Sequence, residues 1–161
     1  LKNLRHEKIG YLSIDLSSYI MQVRHKAFFQ ALRQNGLKAE PAYAGNSYYI
    51  TQCLEKHLPR LLDLGVTAII CSHDQIANSD IIQCQQLGFR VPEDISIIGF
   101  DDLPICAYTS PPLTTIRQDR IQLGKSAFSA LTSTMGNVAI GTLLLHAQLI
   151  VRESTRERIE E

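Results

Sequence analysis

Apolar and polar positions along the chain switch repeatedly between the strand period and the helix period. Residues 8–14 (KIGYLSI) read as a strand. Residues 18–35 repeat apolar side chains at helical spacing, with Ile20, Val23, Ala27 and Ala31 on one face. Ser17 or Ser18 supplies an N-cap, and Gly36 supplies the left-handed residue beyond the end. Residues 37–43 form a weak strand interrupted by Pro41, and Gly45-Asn46-Ser47 reads as a turn. A helix follows over 48–57. Pro59, with no amide to donate, ends or kinks it, and residues 60–64 form a short second piece before Gly65. Residues 67–71 (TAIIC) and 95–100 (ISIIGF) are almost continuously apolar, as strands covered on both faces are. Between them Asp74 caps a helix that runs to Leu87 and stops at Gly88. Beyond the Pro111-Pro112 corner, 113–116 is a short strand. Residues 119–135 are a helix with Ile121, Leu123, Ala127, Phe128 and Leu131 as its apolar set. Residues 148–152 are a last strand, and the charged tail 153–161 is expected to fray.

Repeated strand–helix alternation around buried central strands specifies an α/β fold, a three-layer open and mostly parallel sheet with helices on both faces. Ligands of such sheets sit at the carboxyl ends of the strands. The segments to inspect are therefore 15–18, 43–48, 72–75, 101–104 and 117–119.

Composition narrows the function. Sixteen Lys+Arg balance sixteen Asp+Glu over 161 residues. That neutrality argues against a chain that grips a phosphate backbone alone, which takes several cations on one face. No apolar run reaches the roughly 20 residues of a membrane span, and the first eight residues lack a signal peptide's apolar stretch. Cys53, Cys71, Cys84 and Cys106 form no C-x-x-C pair and no zinc spacing with histidine. They read as buried, reduced thiols of a cytoplasmic protein. Neither a cofactor nor a metal is called for. No dinucleotide fingerprint, phosphate loop or nucleophile elbow is present.

Asp101-Asp102 after a strand suggests an acid pocket for a metal or phosphoryl group, but Arg117 stands where such a pocket needs a lysine. His73-Asp74 has no Ser or Cys nucleophile with a visible partner, so His73 lines the strand ends rather than acting as a base. His6, His25, His57 and His146 are scattered and read as surface residues. Arg24 is either a solvated arginine or a fork of donors that reaches hydroxyls or a carboxylate over the sheet edge.

Four longer segments, GFRVPEDISIIGFDD at 88–102, SPPLTTIRQD at 110–119, AIICSHD at 68–74 and LIVRES at 149–154, resemble in order and spacing the sugar-binding core of the lactose-repressor/galactose-repressor (LacI/GalR) family. The opening His6-Glu7-Lys8-Ile9, with Arg24, Ala27, Leu32 and Gly36 behind it, is similar to the start of that family's second lobe. The resemblance covers about residues 6–155. It implies a two-lobed core like a periplasmic sugar-binding protein, preceded in full members by a helix-turn-helix head and a hinge. On that reading residues 1–117 are the second lobe, 118–147 the crossover and a helix of the first lobe, and 148–161 the return strand and tail. Head, hinge and most of the first lobe lie outside the sequence, so operator DNA is reached only through that head.

The resemblance also assigns residues. Arg24 is the donor to effector hydroxyls and Asp101 the acceptor. His73 replaces the usual Asn or small polar residue, Tyr48 or Tyr49 lies, on a weaker alignment, near where members place a stacking aromatic, and Gln118 lies at the crossover. The implied effector is a sugar or sugar derivative, less readily a purine. The implied homodimer pairs through 76–87 and 103–112, with Ile81, Ile82, Cys84, Ile105 and Tyr108 at the interface. Ser79 stands where members often carry glycine. The function implied is the effector-binding and dimerisation module of a transcriptional repressor, not an enzyme. A transport-type periplasmic sugar-binding protein shares the fold and is the alternative.

Overall fold

In the computed structural model, which describes residues 1–159, six strands form one sheet: β1 (Ile9–Ile14), β2 (Ala44–Ser47), β3 (Ala68–Cys71), β4 (Ser96–Phe100), β5 (Thr114–Arg117) and β6 (Gln148–Ile150). Their spatial order is β2-β1-β3-β4-β5-β6. All neighbours are parallel except β5 and β6, which run antiparallel. The helices are α1 (Tyr19–Gln34), α2 (Ile50–Asp63), α3 (Asp74–Gln86) and α4 (Arg120–Met135). This is the mostly parallel open sheet that the alternation predicts.

Strand periodicity divides the core. Leu12, Ile69, Cys71 and Ile97 point to one face and pack with Cys53, Leu54, Leu58 and Leu61 of α2 and Ile76, Ile81 and Cys84 of α3. Ile9, Tyr11 and Ala68 point to the other face, against Phe28 and Leu32 of α1. All four cysteines are free and buried. Gly36 at φ 69 ends the α1 turn as its sequence position requires.

The structure departs from the local reading in several places. The second strand is not 37–43. Pro41 starts a short 3-10 turn, Pro41–Tyr43, and pairing begins at Ala44. The Gly45-Asn46-Ser47 stretch is thus strand, held by long-range bonds. Arg60 donates to the carbonyls of Ala42 and Ala44, and His57 Nε2 donates to Asn46 O at 2.9 Å. A side chain at Gly45 would fall on the His57 ring. Pro59 does not end α2, because the buried Leu58 and Leu61 on either side of it keep the axis against the sheet.

Asp74 does not cap α3. His73 is the N-cap residue, and the Asp74 carboxylate accepts from Leu103 N at 2.7 Å and Thr115 Oγ1 at 2.5 Å. The tail, expected to fray, is tied down at two points: buried Ser154 receives Thr114 N at 2.8 Å and donates to Ile97 O at 2.6 Å, and Arg158 N donates to Leu4 O at 2.9 Å. Residues 160 and 161 of that expectation lie outside the described residues. His6, finally, is buried rather than surface. Its Nε2 donates to Arg156 O at 3.0 Å and its Nδ1 bonds Thr67 Oγ1 at 3.0 Å, which ties residue 6 to the segment after β6.

Burial lowers the His6 pKa, and the carbonyl bond only partly opposes it. Folding thus favours the neutral ring. Its contribution to stability is complete above the unfolded histidine value of about 6.5 and is lost as pH falls below it. Measured from pH 7.5 down to 5, the urea midpoint of the wild-type chain should fall relative to that of His6→Gln, a comparison in which every other titrating group is common to both.

α4 begins as predicted, with Asp119 accepting from Gln122 N at 2.9 Å. None of its residues is buried, and Ile121, Phe128 and Leu131 stand in the open. Among the described residues no helix is long and apolar enough to cross a membrane, and no group of three or more His, Cys, Asp or Glu is placed to hold a metal ion.

Candidate functional site

The carboxyl ends of β3, β4 and β5 bring three of the predicted residues together. Arg24, on the second turn of α1, lies with its guanidinium carbon 3.9 Å from the Phe100 ring centroid, over the last residue of β4. One guanidinium nitrogen donates to the Ser72 carbonyl at the end of β3, and the other to Asp101 Oδ1 at 3.3 Å. Gln118 Nε2, just past β5, donates to the same oxygen at 3.2 Å. The Asp101 carboxylate therefore accepts from two elements, and its other oxygen has no protein donor among the described residues.

His73 follows Ser72 and bonds its hydroxyl through Nδ1 at 3.1 Å. Burial lowers its pKa. Nearby Asp101 opposes this and Arg24 adds to it. The neutral imidazole presents one donor and one acceptor. Tyr48 stands apart from this group: it is 66% exposed, and its ring meets Tyr49 edge-on at 4.9 Å.

The backbone turns sharply under the acid pair. Asp101 has φ 111 and Asp102 φ 51, values that residues with a Cβ rarely adopt. Local reading missed what holds the turn. Asp102 is mostly buried and bridges two arginines, receiving Arg117 Nε at 2.5 Å and Arg152 Nη2 at 2.7 Å, while Arg152 Nη1 bonds Leu113 O at 2.7 Å. The absent lysine and the second aspartate were the available signal. Arg117 belongs to a structural ion network, not to a phosphoryl pocket.

Burial pushes the Asp102 carboxyl up, and the hydrogen bonds from Arg152 and Arg117 more than reverse it, leaving the pKa below the ordinary range. Asp102→Ala strands the largely buried Arg152, so a loss of about 3 kcal/mol is expected from urea unfolding. Asp102→Asn, which keeps one acceptor oxygen for Arg152 but gives up the charge and the second acceptor, should lose less.

Of the five residues expected at a chain–chain contact, two are misplaced. Ile81 and Cys84 point into the chain's own core, where α3 meets the sheet. A second chain cannot reach them. Ile82, 49% exposed, is on the outward face of the same helix; Ile105 is 50% exposed and Tyr108 83% exposed in the loop after β4.

Comparison with known proteins decides the family. The periplasmic binding protein-like domain family matches residues 1–155. The HTH-type transcriptional repressor CytR of Escherichia coli (strain K12) is 35% identical over 155 residues, covering 94% of this chain and 46% of that protein. The HTH-type transcriptional repressor PurR of Pasteurella multocida (strain Pm70) is 31% identical over 160 residues, covering 96% of this chain and 47% of its own length. The chain belongs to the LacI/GalR family. Its fold is the family's effector-binding fold: a solved lac repressor dimer, bound to operator and the anti-inducer ONPF, superposes with a TM-score of 0.86 at 28% identity, over 97% of this chain and 55% of that one. The chain spans about half the length of the curated relatives it matches.

Proposed function

We propose that this chain is the effector-sensing and pairing part of a LacI/GalR-type transcriptional repressor that acts in the cytoplasm and carries out no catalysis. The observation that carries the reading is the convergence of Arg24, Asp101 and Gln118 on one point at the strand ends. A donor fork opposite an acceptor brackets two adjacent hydroxyls, and His73 adds a neutral donor–acceptor group beside them. The effector class is a sugar or sugar derivative, with a purine as the second class. Repressors rather than transport proteins are its curated relatives, which favours regulation over transport. Residues 118–147 and the exposed side of α4 belong on this reading to the first lobe, which closes over the ligand and relays lobe orientation to a DNA-binding head.

Calorimetry on the protein carrying both lobes, with a panel of pentoses, hexoses, nucleosides and purine bases, tests the proposal. One class should bind in the micromolar range. Failure of every member to bind, or binding that is indifferent to Arg24 and Asp101, would remove the reading.

Pairing is expected through Ile82, Ile105 and Tyr108, whose exposure suits an isologous contact. Sedimentation at tens of micromolar should show a dimer, and Tyr108→Asp combined with Ile82→Asp should weaken it by tenfold or more, about 1.4 kcal/mol. Ile81→Asp is expected to unfold the lobe instead.

A further inference from the structure

Asp80 lies on the inner side of α3 with none of its surface exposed. Sulfur is what its carboxyl meets. Cys71 Sγ, from β3, is 3.7 Å from Oδ2, and Cys84 Sγ, one turn along α3, is 3.7 Å from Oδ1. Cys53 of α2 faces the same cluster; burial raises its thiol pKa, and a charge on Asp80 adds to that. β4, which packs against α3, contributes no titratable side chain. On α2, Glu55, Lys56 and Asp63 are exposed, and His57 and Arg60 are bonded to β2. Asp74, at the start of α3, is held by Leu103 and Thr115. Among the described residues Asp80 thus has no cation and no backbone amide as partner.

Thiols are weak donors and return little of the hydration that a carboxylate loses on burial, so such an acid takes a proton instead. Burial pushes the Asp80 carboxyl up to about 7, with the two thiol contacts pulling the other way.

The position matters because Cys71 ends β3. The next residue, Ser72, supplies the carbonyl that receives Arg24, and His73 follows. We propose that Asp80 is a proton-operated latch: its neutral carboxyl closes α3 onto the end of β3, and its ionisation loosens that helix and the Ser72-His73 strand end it backs. His73, the carbonyl that holds Arg24 and the outward Ile82 all ride on this joint.

The test compares urea unfolding of the wild-type chain with Asp80→Asn from pH 5 to 8.5, which cancels the histidine contribution common to both. A raised folded pKa stabilises at low pH and is lost as pH rises. The wild-type unfolding constant should therefore grow relative to the variant by about tenfold per pH unit below neutrality and level off above about pH 8. Hydrogen exchange across 72–86, corrected for its intrinsic pH dependence, should accelerate over the same window in wild type alone. Parallel stability profiles overturn the latch, as does exchange that is equally flat in both proteins. If Asp80→Asn does not fold, carboxyl carbon NMR of the wild-type chain decides: a midpoint near neutrality supports the proposal, and one below about 5 overturns it.

Discussion

Asp74→Ala should shift the urea midpoint of the chain further than any truncation in the polar cluster at the strand ends, with a loss of about 3 kcal/mol or more. Asp74 is fully buried and joins three elements: the start of α3, the backbone of Leu103 after β4, and Thr115 in β5. Truncation leaves the Leu103 amide and the Thr115 hydroxyl without acceptors in a place water does not reach. Gly99→Ala attacks the same joint from below. Its Cβ would collide with Asp74 Oδ1 and come within 3.0 Å of Leu113 Cδ2. Because both changes break one joint, the double variant should lose little more than the worse single one. A fully additive double variant would show that the two sites act separately.

Arg24→Ala and Asp101→Ala, in the protein with both lobes, should each weaken effector binding without unfolding the core. Removing one partner of a buried polar contact costs about 1–3 kcal/mol, or about five- to 150-fold in affinity. Arg24 should stand at the upper end. Its loss removes the proposed donor to the effector and also uncovers the Phe100 ring and the Ser72 carbonyl. Gln118→Ala should cost least, since it reaches the site only through Asp101 Oδ1. His73→Asn should alter which member of the panel is preferred more than it alters stability, because it exchanges an imidazole for an amide of different reach. Affinity unchanged by both Arg24→Ala and Asp101→Ala would place the ligand elsewhere.

The site was more legible than its supports. Asp101 and Gln118 lie in segments that the strand-end rule singles out, Arg24 follows from the family resemblance, and the structure brings the three within hydrogen-bonding distance. Tyr48 rested on a weaker alignment, and the structure leaves it outside that cluster. Asp102 had been visible only as half of an acid pair. Its two arginines lie 15 and 50 residues away, a separation that no local pattern reports.

By itself the sequence determined the alternation of elements, the buried character of β3 and β4 and the ends of α1, because these depend on side-chain period, uninterrupted apolar runs and a glycine at a left-handed position. Only the tertiary structure decided matters of rotation and long-range partnership. Ile81 and Ile82 are adjacent, equally apolar, and about 100° apart around α3, so packing alone turns one into the core and leaves the other outside. Asp80 shares that rotation, which sets an acid among thiols. The same holds for the placement of β2, which His57 and Arg60 hold from α2, and for α2 itself, where the burial of Leu58 and Leu61 outweighs the local preference of Pro59. Local propensity amounts to at most about 3 kcal/mol at a proline, and two fully buried leucines supply about as much or more.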